Sequence, residues 1–291
     1  MEKILETLQR LGLTSDATTE VLSRKTRDNN NLKVMKDSLS GVIYIDGFYV
    51  GNDEYISGEY RNEKLDLHST PDFERLCDAK RRVSNYKKYY AGFDICDVGC
   101  GAGDFLRGAN SEANSVSGVE LQESYLEALN NNGIASFSSI EESDKKFDTI
   151  FSFHALEHFD NPISMLNSMR QSLVDGGRVV IEVPHANDFL LSKLKSQEFI
   201  DFTLWSQHLI LHTRDSLHRF LLDTGFSNII IEGVQRYPLS NHLTWLSESK
   251  PGGHKSNLAL VDSNELSAAY ENALRGIDAT DTLVAVASFK Q

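Results

Sequence analysis

A chain of 291 residues, 40% of them hydrophobic, has material for one large domain with additions and more core than a minimal fold needs. Its formal net charge of −13 opposes the polyanionic surfaces of nucleic acid and acidic membrane, so neither is expected as a partner. Three cysteines, Cys77, Cys96 and Cys100, form no CxxC pair; that excludes a disulfide framework, leaves no metal site expected, and fits a reducing, cytoplasmic setting.

Glu2 and Glu6 interrupt the apolar residues of the opening, which does not read as a secretory signal, and no apolar run approaches a membrane span. Ile4, Leu5, Leu8 and Leu11 share one helical face, and the reading is helical to about residue 26, with a second, polar helix after Ser15. "NLKVMKDSLSGVIYIDGFYV" predicts strand, turn and strand, with "SLSG" as the turn. Residues 51 to 68 are polar and irregular. Thr70 and Pro71 then suit the cap and first position of a helix carrying Phe73, Leu76, Cys77, Val83, Tyr86 and Tyr90.

From residue 94 strands alternate with helices. The predicted strands are "FDICDVG", "SVSGVEL", "IASF", "FDTIFSFH", "RVVIEVP", "NIIIEGV" and "TLVAVASF". Among the helices, "NPISMLNSMRQSLVDGG" has Asn161 as cap and glycines at its end, and "TRDSLHRFLLDTGF" follows a looser stretch, 185–212. Helices between near-continuous apolar strands predict an α/β fold with a mostly parallel sheet covered on both faces. The organisation predicted is an N-terminal helical and hairpin extension, 1–70, acting as acceptor cap or oligomerisation element, and a main domain, 71–291, with inserts at about 185–212 and 237–281.

In open parallel sheets ligands bind beyond the carboxyl ends of the strands. The first of these strands ends at Asp97-Val98 and turns through Gly99-Cys100-Gly101-Ala102-Gly103. Glycines there tolerate positive φ and let a ligand lie against the backbone. The spacing is G-x-G-x-G, with Asp104 where a dinucleotide fingerprint has its third glycine. An aspartate at that helix start opposes a diphosphate. Glu120 ends the next strand, where a carboxylate accepts ribose hydroxyls. Asp97, Asp104 and Glu120 together suit a nucleoside carrying positive charge.

"DVGCGAGDF", "GVEL", "FDTIFSFHALEHFDNP" and "LVDGGRVVIEVP", in this order and spacing, resemble class I S-adenosylmethionine-dependent methyltransferases, in particular a small-molecule group with an H-x-L-E-H stretch after the fourth strand. "QHLILHTRDSLHRFLLDTGF" resembles a later segment of that group, with His212 where an aromatic residue is usual. The likeness covers roughly residues 75 to 235. It implies a Rossmann-like, seven-stranded sheet of order 3-2-1-4-5-7-6 with the last strand antiparallel. It implies S-adenosylmethionine as donor and S-adenosylhomocysteine as product. Asp97 is a candidate cofactor residue; the resemblance implies that the loop of Gly99, Cys100, Gly101 and Gly103 holds the methionine part, and Glu120 the ribose. Leu121, Ser139 and Ile140 fall to the adenine, and His154 to a place near the transferable methyl.

Methyl transfer needs alignment and exclusion of water, and a base only where the acceptor must lose a proton. A histidine, with an unperturbed pKa of about 6.5, suits that base. His158 and His208 are the candidates for catalysis, with His185 and His212 nearby in sequence order; His212 reads more readily as packing, and Glu157 equally braces the loop or touches substrate. Tyr44, Phe48, Tyr49 and Trp245 are candidate acceptor walls, though aromatics are more commonly core. The basic run "KRRVSNYKK" reads first as a solvated helix face and second as a site for an anionic acceptor. The function predicted is methyl transfer from S-adenosylmethionine to a small-molecule acceptor such as a sugar or surface-glycan precursor. A nicotinamide-dependent reductase and a catalytically silent partner subunit are the alternatives.

Overall fold

The apolar runs that alternate with helices become one sheet. A computed structural model describes residues 4–58 and 73–290. In chain order its strands are β1 (Thr19–Ser23), β2 (Val34–Asp37), β3 (Ile43–Tyr44), β4 (Asp94–Val98), β5 (Ser115–Val119), β6 (Ala135–Phe137), β7 (Phe147–Phe153), β8 (Leu173–Pro184), β9 (Ile210–Leu211), β10 (Ser227–Val234) and β11 (Thr282–Ser288). Seven of them form the main sheet, in the order β6-β5-β4-β7-β8-β11-β10. β4 to β8 run parallel, and β11 is antiparallel to both β8 and β10. This is the order 3-2-1-4-5-7-6 expected from the sequence.

Both faces of the central strands β4, β7, β8 and β11 are dry, as strands without polar alternation require. Cys96, Val98, Ile150, Val179, Ile181 and Leu283 point to one core, and Ile95, Phe151, Phe153, Val180 and Val284 to the other. The helices Phe73–Asn85 and Asp104–Ala109 cover the second face, where Phe105 meets Phe151 and Phe153 with ring centroids 4.8 and 5.0 Å apart. Asp97 and Glu182 lie two residues beyond Ile95 and Val180, so their carboxylates emerge on that same face at the carboxyl ends of β4 and β8.

The N-terminal extension differs from its predicted form. Helix is confined to Ile4–Arg10, and the expected second helix is β1, paired antiparallel with β2. Thr18, Thr19, Val21 and Leu22 supply β-branched and apolar residues that gain more from a cross-strand partner than from a helix. The hairpin of β2 and β3 is present, its turn held by Asp37 Oδ1 accepting from Leu39 N–H and Ser40 N–H at 2.9 and 2.7 Å. β3 pairs with β9, so the extension and the 185–212 insert form one four-stranded sheet. Leu8 is fully buried in the core that holds Leu217 and Phe220, and Arg10 pairs with Asp223 at 2.7 Å. The extension therefore covers a helix of its own chain.

Three smaller differences follow. Asn52–Ser57 is helical within the stretch read as irregular. The helix capped by Asn161 ends at Gln171, and Gly176 and Gly177 fall inside β8 rather than at the helix end. The predicted cap at Thr70 and Pro71 lies outside the described residues.

The insert ends where Thr213 starts the helix Arg214–Asp223. Thr213 accepts from Ser216 N–H, and Ser216 Oγ accepts from Thr213 N–H at 2.8 Å. Thr213→Ala is expected to cost about 1 kcal/mol, read as a lowered urea midpoint with unchanged slope.

Candidate functional site

The loop after β4 is bare chiefly because its own neighbours crowd it. A Cβ on Gly99 would stand 2.5 Å from Ala155 Cβ, and Gly99 has φ +78°. A Cβ on Gly103 would collide with Leu129 Cδ2. The glycines thus let the loop pass beneath the end of β7 and against the helix Glu123–Asn131, which brings the backbone up to the cavity above it.

That cavity, of about 220 Å³, is lined by Asp97, Gly99, Cys100 and Asp104 together with Arg75, Asp78, Arg82, Phe153 and Arg236. Asp97 is 3% exposed and its Oδ1 has no hydrogen-bond partner. Burial, reinforced by the charges of Glu182 and Glu120 and opposed by Arg82, pushes its carboxyl up to about 7. An orphaned, buried carboxylate oxygen beside a glycine loop fits the ammonium of a methionine-type ligand.

Two parts of the expected ring of acids behave otherwise. Asp104 is paired with Arg75, at 2.9 and 2.6 Å, and with Arg107, so it offers no free negative charge. Glu120 accepts from Gly101 N–H at 2.9 Å, Leu121 N–H at 2.8 Å and Gln122 N–H at 3.0 Å. Three of about four lone-pair positions are thereby filled. A ribose diol held by Glu120 must share or displace the Gly101 contact.

Leu121, Ser139 and Ile140 do not line this cavity. Ser139 caps the turn Ile140–Glu142, and the Ile140 side chain is buried in the core. Gly58, at the end of the helix Asn52–Ser57, is packed close to Gln122.

His154, expected at the cofactor, does not line the donor cavity but a second one, of about 230 Å³; the two cavities share Glu74 and Arg236. Its φ of +52° turns the chain sharply after β7. Arg236 Nη1 lies 3.1 Å from His154 Nε2. A guanidinium only donates, so Nε2 accepts and Nδ1 carries the proton, facing Glu157 Oε1 at 3.4 Å. Burial, with Arg236 and Arg82 nearby, holds the imidazole well below its ordinary pKa. His154 is a neutral, oriented ring.

Behind these residues stands a buried charge network that sequence reasoning missed. Glu182, fully buried, accepts from Arg81 at 2.8 and 2.9 Å, from Arg82 Nε at 3.0 Å and from Tyr86 O–H at 2.6 Å. Arg236 binds Asp78 through both Nε and Nη2. The arginines hold the Glu182 and Asp78 carboxyls far below the usual carboxylate range. Two cations of the "KRRVSNYKK" run are thus turned inward, neither a solvated face nor an acceptor site. The signal was Glu182 itself, a carboxylate inside the apolar run "VVIEVP".

His158 and His208 are brought together, with ring centroids 5.0 Å apart. Burial, with His158 and Arg27 nearby, holds His208 well below its ordinary pKa, so it is neutral. Glu157 is fully buried beside them. His212 and His185 are structural: His212 Nδ1 meets Ser216 Oγ at 3.0 Å and its ring edges onto Phe220, while His185 Nδ1 donates to Thr280 O at 2.9 Å. Tyr44 belongs to the core, and Phe48 and Tyr49 pack against it; Trp245 lines the second cavity.

A family model described as "Methyltransferase domain" matches residues 69–230. A tRNA U34 carboxymethyltransferase of Haemophilus influenzae (strain 86-028NP) is 34% identical over 62% of this chain and 58% of its own length. A protein of the same name from Nautilia profundicola is 32% identical over 31% of this chain and 33% of its own length. The chain thus spans well under two thirds of these relatives. A solved SAM-dependent methyltransferase of Archaeoglobus fulgidus shares the fold, with a TM-score of 0.52 at 20% identity, over 74% of this chain and 94% of that one.

These names correct two expectations. The curated relatives are named for a tRNA, so a small-molecule acceptor and the exclusion of nucleic acid do not stand. Net charge is a sum over the whole surface, whereas a nucleic acid meets only one face of it. Among the described residues no helix is long and apolar enough to cross a membrane. The nicotinamide reading falls with the family match: this chain is a class I S-adenosylmethionine-dependent methyltransferase, a member of the methyltransferase-domain family.

Proposed function

We propose that the chain transfers a methyl group from S-adenosylmethionine to a tRNA nucleoside, with uridine 34, named for the relatives, as the first candidate. The observation that carries this reading is the second cavity. Phe199, Phe202 and Trp245 form one wall, with ring centroids 5.2 and 5.1 Å from Trp245, and Arg27 lies 4.4 Å over Trp205 at its rim. A base swung out of a single-stranded loop is held by such aromatic and guanidinium faces and read by polar groups at its edge. Asp188, Asn241 and Asp281 line the same cavity. Lys193 and Lys195 lie close enough to Lys36 to oppose its charge, which Glu20 in turn supports, and Lys193 acts likewise on His185 in the cavity wall. They supply local positive charge for phosphates on an otherwise acidic chain.

The donor supplies an electrophilic methyl on a sulfonium, which departs as a neutral thioether. Asp97 takes the ammonium, and the Gly99–Gly103 backbone supports the chain of the ligand. Arg236, held by Asp78, fixes the tautomer of His154 where the two cavities meet. Trp245 and its neighbours align the acceptor and exclude water.

The three guanidiniums lining the donor cavity are each paired with a carboxylate: Arg75 with Asp104, Arg82 with Glu182 and Arg236 with Asp78. The test is incubation with methyl-labelled donor and cellular tRNA, followed by nucleoside mass spectrometry. A uridine heavier by one methylene is expected, and Trp245→Ala should raise the KM for tRNA about tenfold while leaving S-adenosylhomocysteine binding intact. Absence of label from every tRNA nucleoside would sink the reading.

A further inference from the structure

The geometry points to a divalent transition-metal site formed by Glu157, His158 and His208, with an open position toward the second cavity. One donor atom from each of the three side chains lies within 4.8 Å of the others. Atoms sharing one ion at bond lengths of about 2.1 Å stand no more than about 4 Å apart, so small side-chain rotations close the site. The cysteine spacing that left no metal expected does not bear on a set of imidazole and carboxylate donors.

Three observations go beyond mere proximity. Glu157 is fully buried, and neither of its carboxylate oxygens has a hydrogen-bond partner. A buried carboxylate without a partner is costly unless a cation or a proton completes it. The donors also sit on a tied frame: the turn Leu156–His158 presents two of them, and Leu209 N–H donates to Glu157 O at 2.8 Å, docking the His208 segment against it. Finally, an outer contact is in place. His154 Nδ1–H faces Glu157 Oε1 at 3.4 Å, its tautomer set by Arg236, as a supporting group orients a ligating carboxylate.

Two imidazoles and one carboxylate suit zinc, manganese, iron, cobalt or nickel better than magnesium or calcium, which prefer all-oxygen sets. Trp205 edges onto both imidazoles, 5.7 and 5.2 Å from His158 and His208, and Tyr55 stands 6.0 Å from His158, forming a largely apolar wall. His208 also lines the second cavity, so the open position takes an acceptor oxygen, which the ion orients and makes more acidic. The site does not depend on the acceptor being RNA.

The test uses the full chain, free of affinity-tag histidines and stripped of metal, titrated with cobalt(II) while visible absorption is followed. One equivalent per chain is expected, with ligand-field bands of a nitrogen and oxygen site. Glu157→Gln and His208→Ala should each weaken binding at least about a hundredfold. Glu157→Gln is isosteric and removes a buried charge, so it keeps the fold; retained S-adenosylhomocysteine binding by that variant certifies this, and it decides the matter if His208→Ala fails to fold. No saturable cobalt binding by the wild type, or undiminished binding by Glu157→Gln, overturns the site.

Discussion

Asp97→Asn is expected to stabilise the cofactor-free protein at neutral pH while weakening its hold on S-adenosylhomocysteine. The Asp97 carboxyl is raised to about 7 because burial leaves its Oδ1 without a partner. The unfolded chain has it near about 3.9. A folded pKa above the unfolded one means that folding favours the protonated form. The stability associated with Asp97 is therefore fully present below about pH 4 and is lost as pH rises through about 7. At about 1.4 kcal/mol per pH unit the loss approaches about 4 kcal/mol, an upper bound because water and side chains relax around the charge. The asparagine carries no charge to desolvate, so its stability should be flat over this window. The two proteins should melt together near pH 4, with the variant higher at pH 8.

Ligand binding should move the other way. A charge-assisted hydrogen bond to the ligand ammonium contributes about 2 kcal/mol, or roughly thirtyfold in affinity. Wild-type affinity for S-adenosylhomocysteine should fall as pH drops below about 7, since a protonated Asp97 neutralises less of that ammonium; in Asp97→Asn it should be weak and flat. Calorimetric titration and thermal melts across pH 5 to 8 check both signs. A variant less stable than wild type at pH 8 would show that Asp97 has a partner in solution.

What the sequence disclosed and what it hid divide along one physical line. Apolar periodicity and glycine placement are local, and they placed β4 to β8, β10 and β11, while the family resemblance supplied their order. The cap at Asn161 and the turn "SLSG" are legible for the same reason: a cap or turn residue acts within three positions of itself. Long-range partners were not legible. Nothing near Arg81 announces Glu182, 101 residues away, and nothing near Arg236 announces Asp78, 158 residues away. In the run at 80–88, Lys80, Lys87 and Lys88 are exposed as a solvated face requires, but composition does not say that Arg81 and Arg82 turn inward. The sequence of β1 suggests helix because its partner, β2, lies beyond the window of helical periodicity. Glu157, His158 and His208 show the mixed case: two were noticed as neighbours in the chain, and the third joins them only through the tie at Leu209.

Glu182→Gln should destabilise the fold by about 3–5 kcal/mol at pH 7, because it leaves Arg81 and Arg82 partly buried without their countercharge. The sign against pH is opposite to that of Asp97. The Glu182 and Asp78 carboxyls are held below the ordinary range by the arginines, so their contribution is present above the unfolded pKa of about 4. It is lost as pH falls toward the depressed values. The gap between Glu182→Gln and wild type, read from urea midpoints, should therefore narrow as the pH is lowered from 7 toward 3. Added salt should change it little, because the pair is buried. A loss under about 1 kcal/mol at pH 7 would mean that the arginines find water instead. Replacing the triad together, as Arg81→Met, Arg82→Met and Glu182→Leu, should recover much of the stability, since an apolar cluster substitutes for a buried ion set at little cost. It should not recover the donor site. Arg82 lines that cavity, and the variant removes both its charge and that of Glu182, the two opposed influences on Asp97. The triple variant should thus fold well and bind S-adenosylhomocysteine poorly, which would separate the network's part in stability from its part in setting the charge of the site.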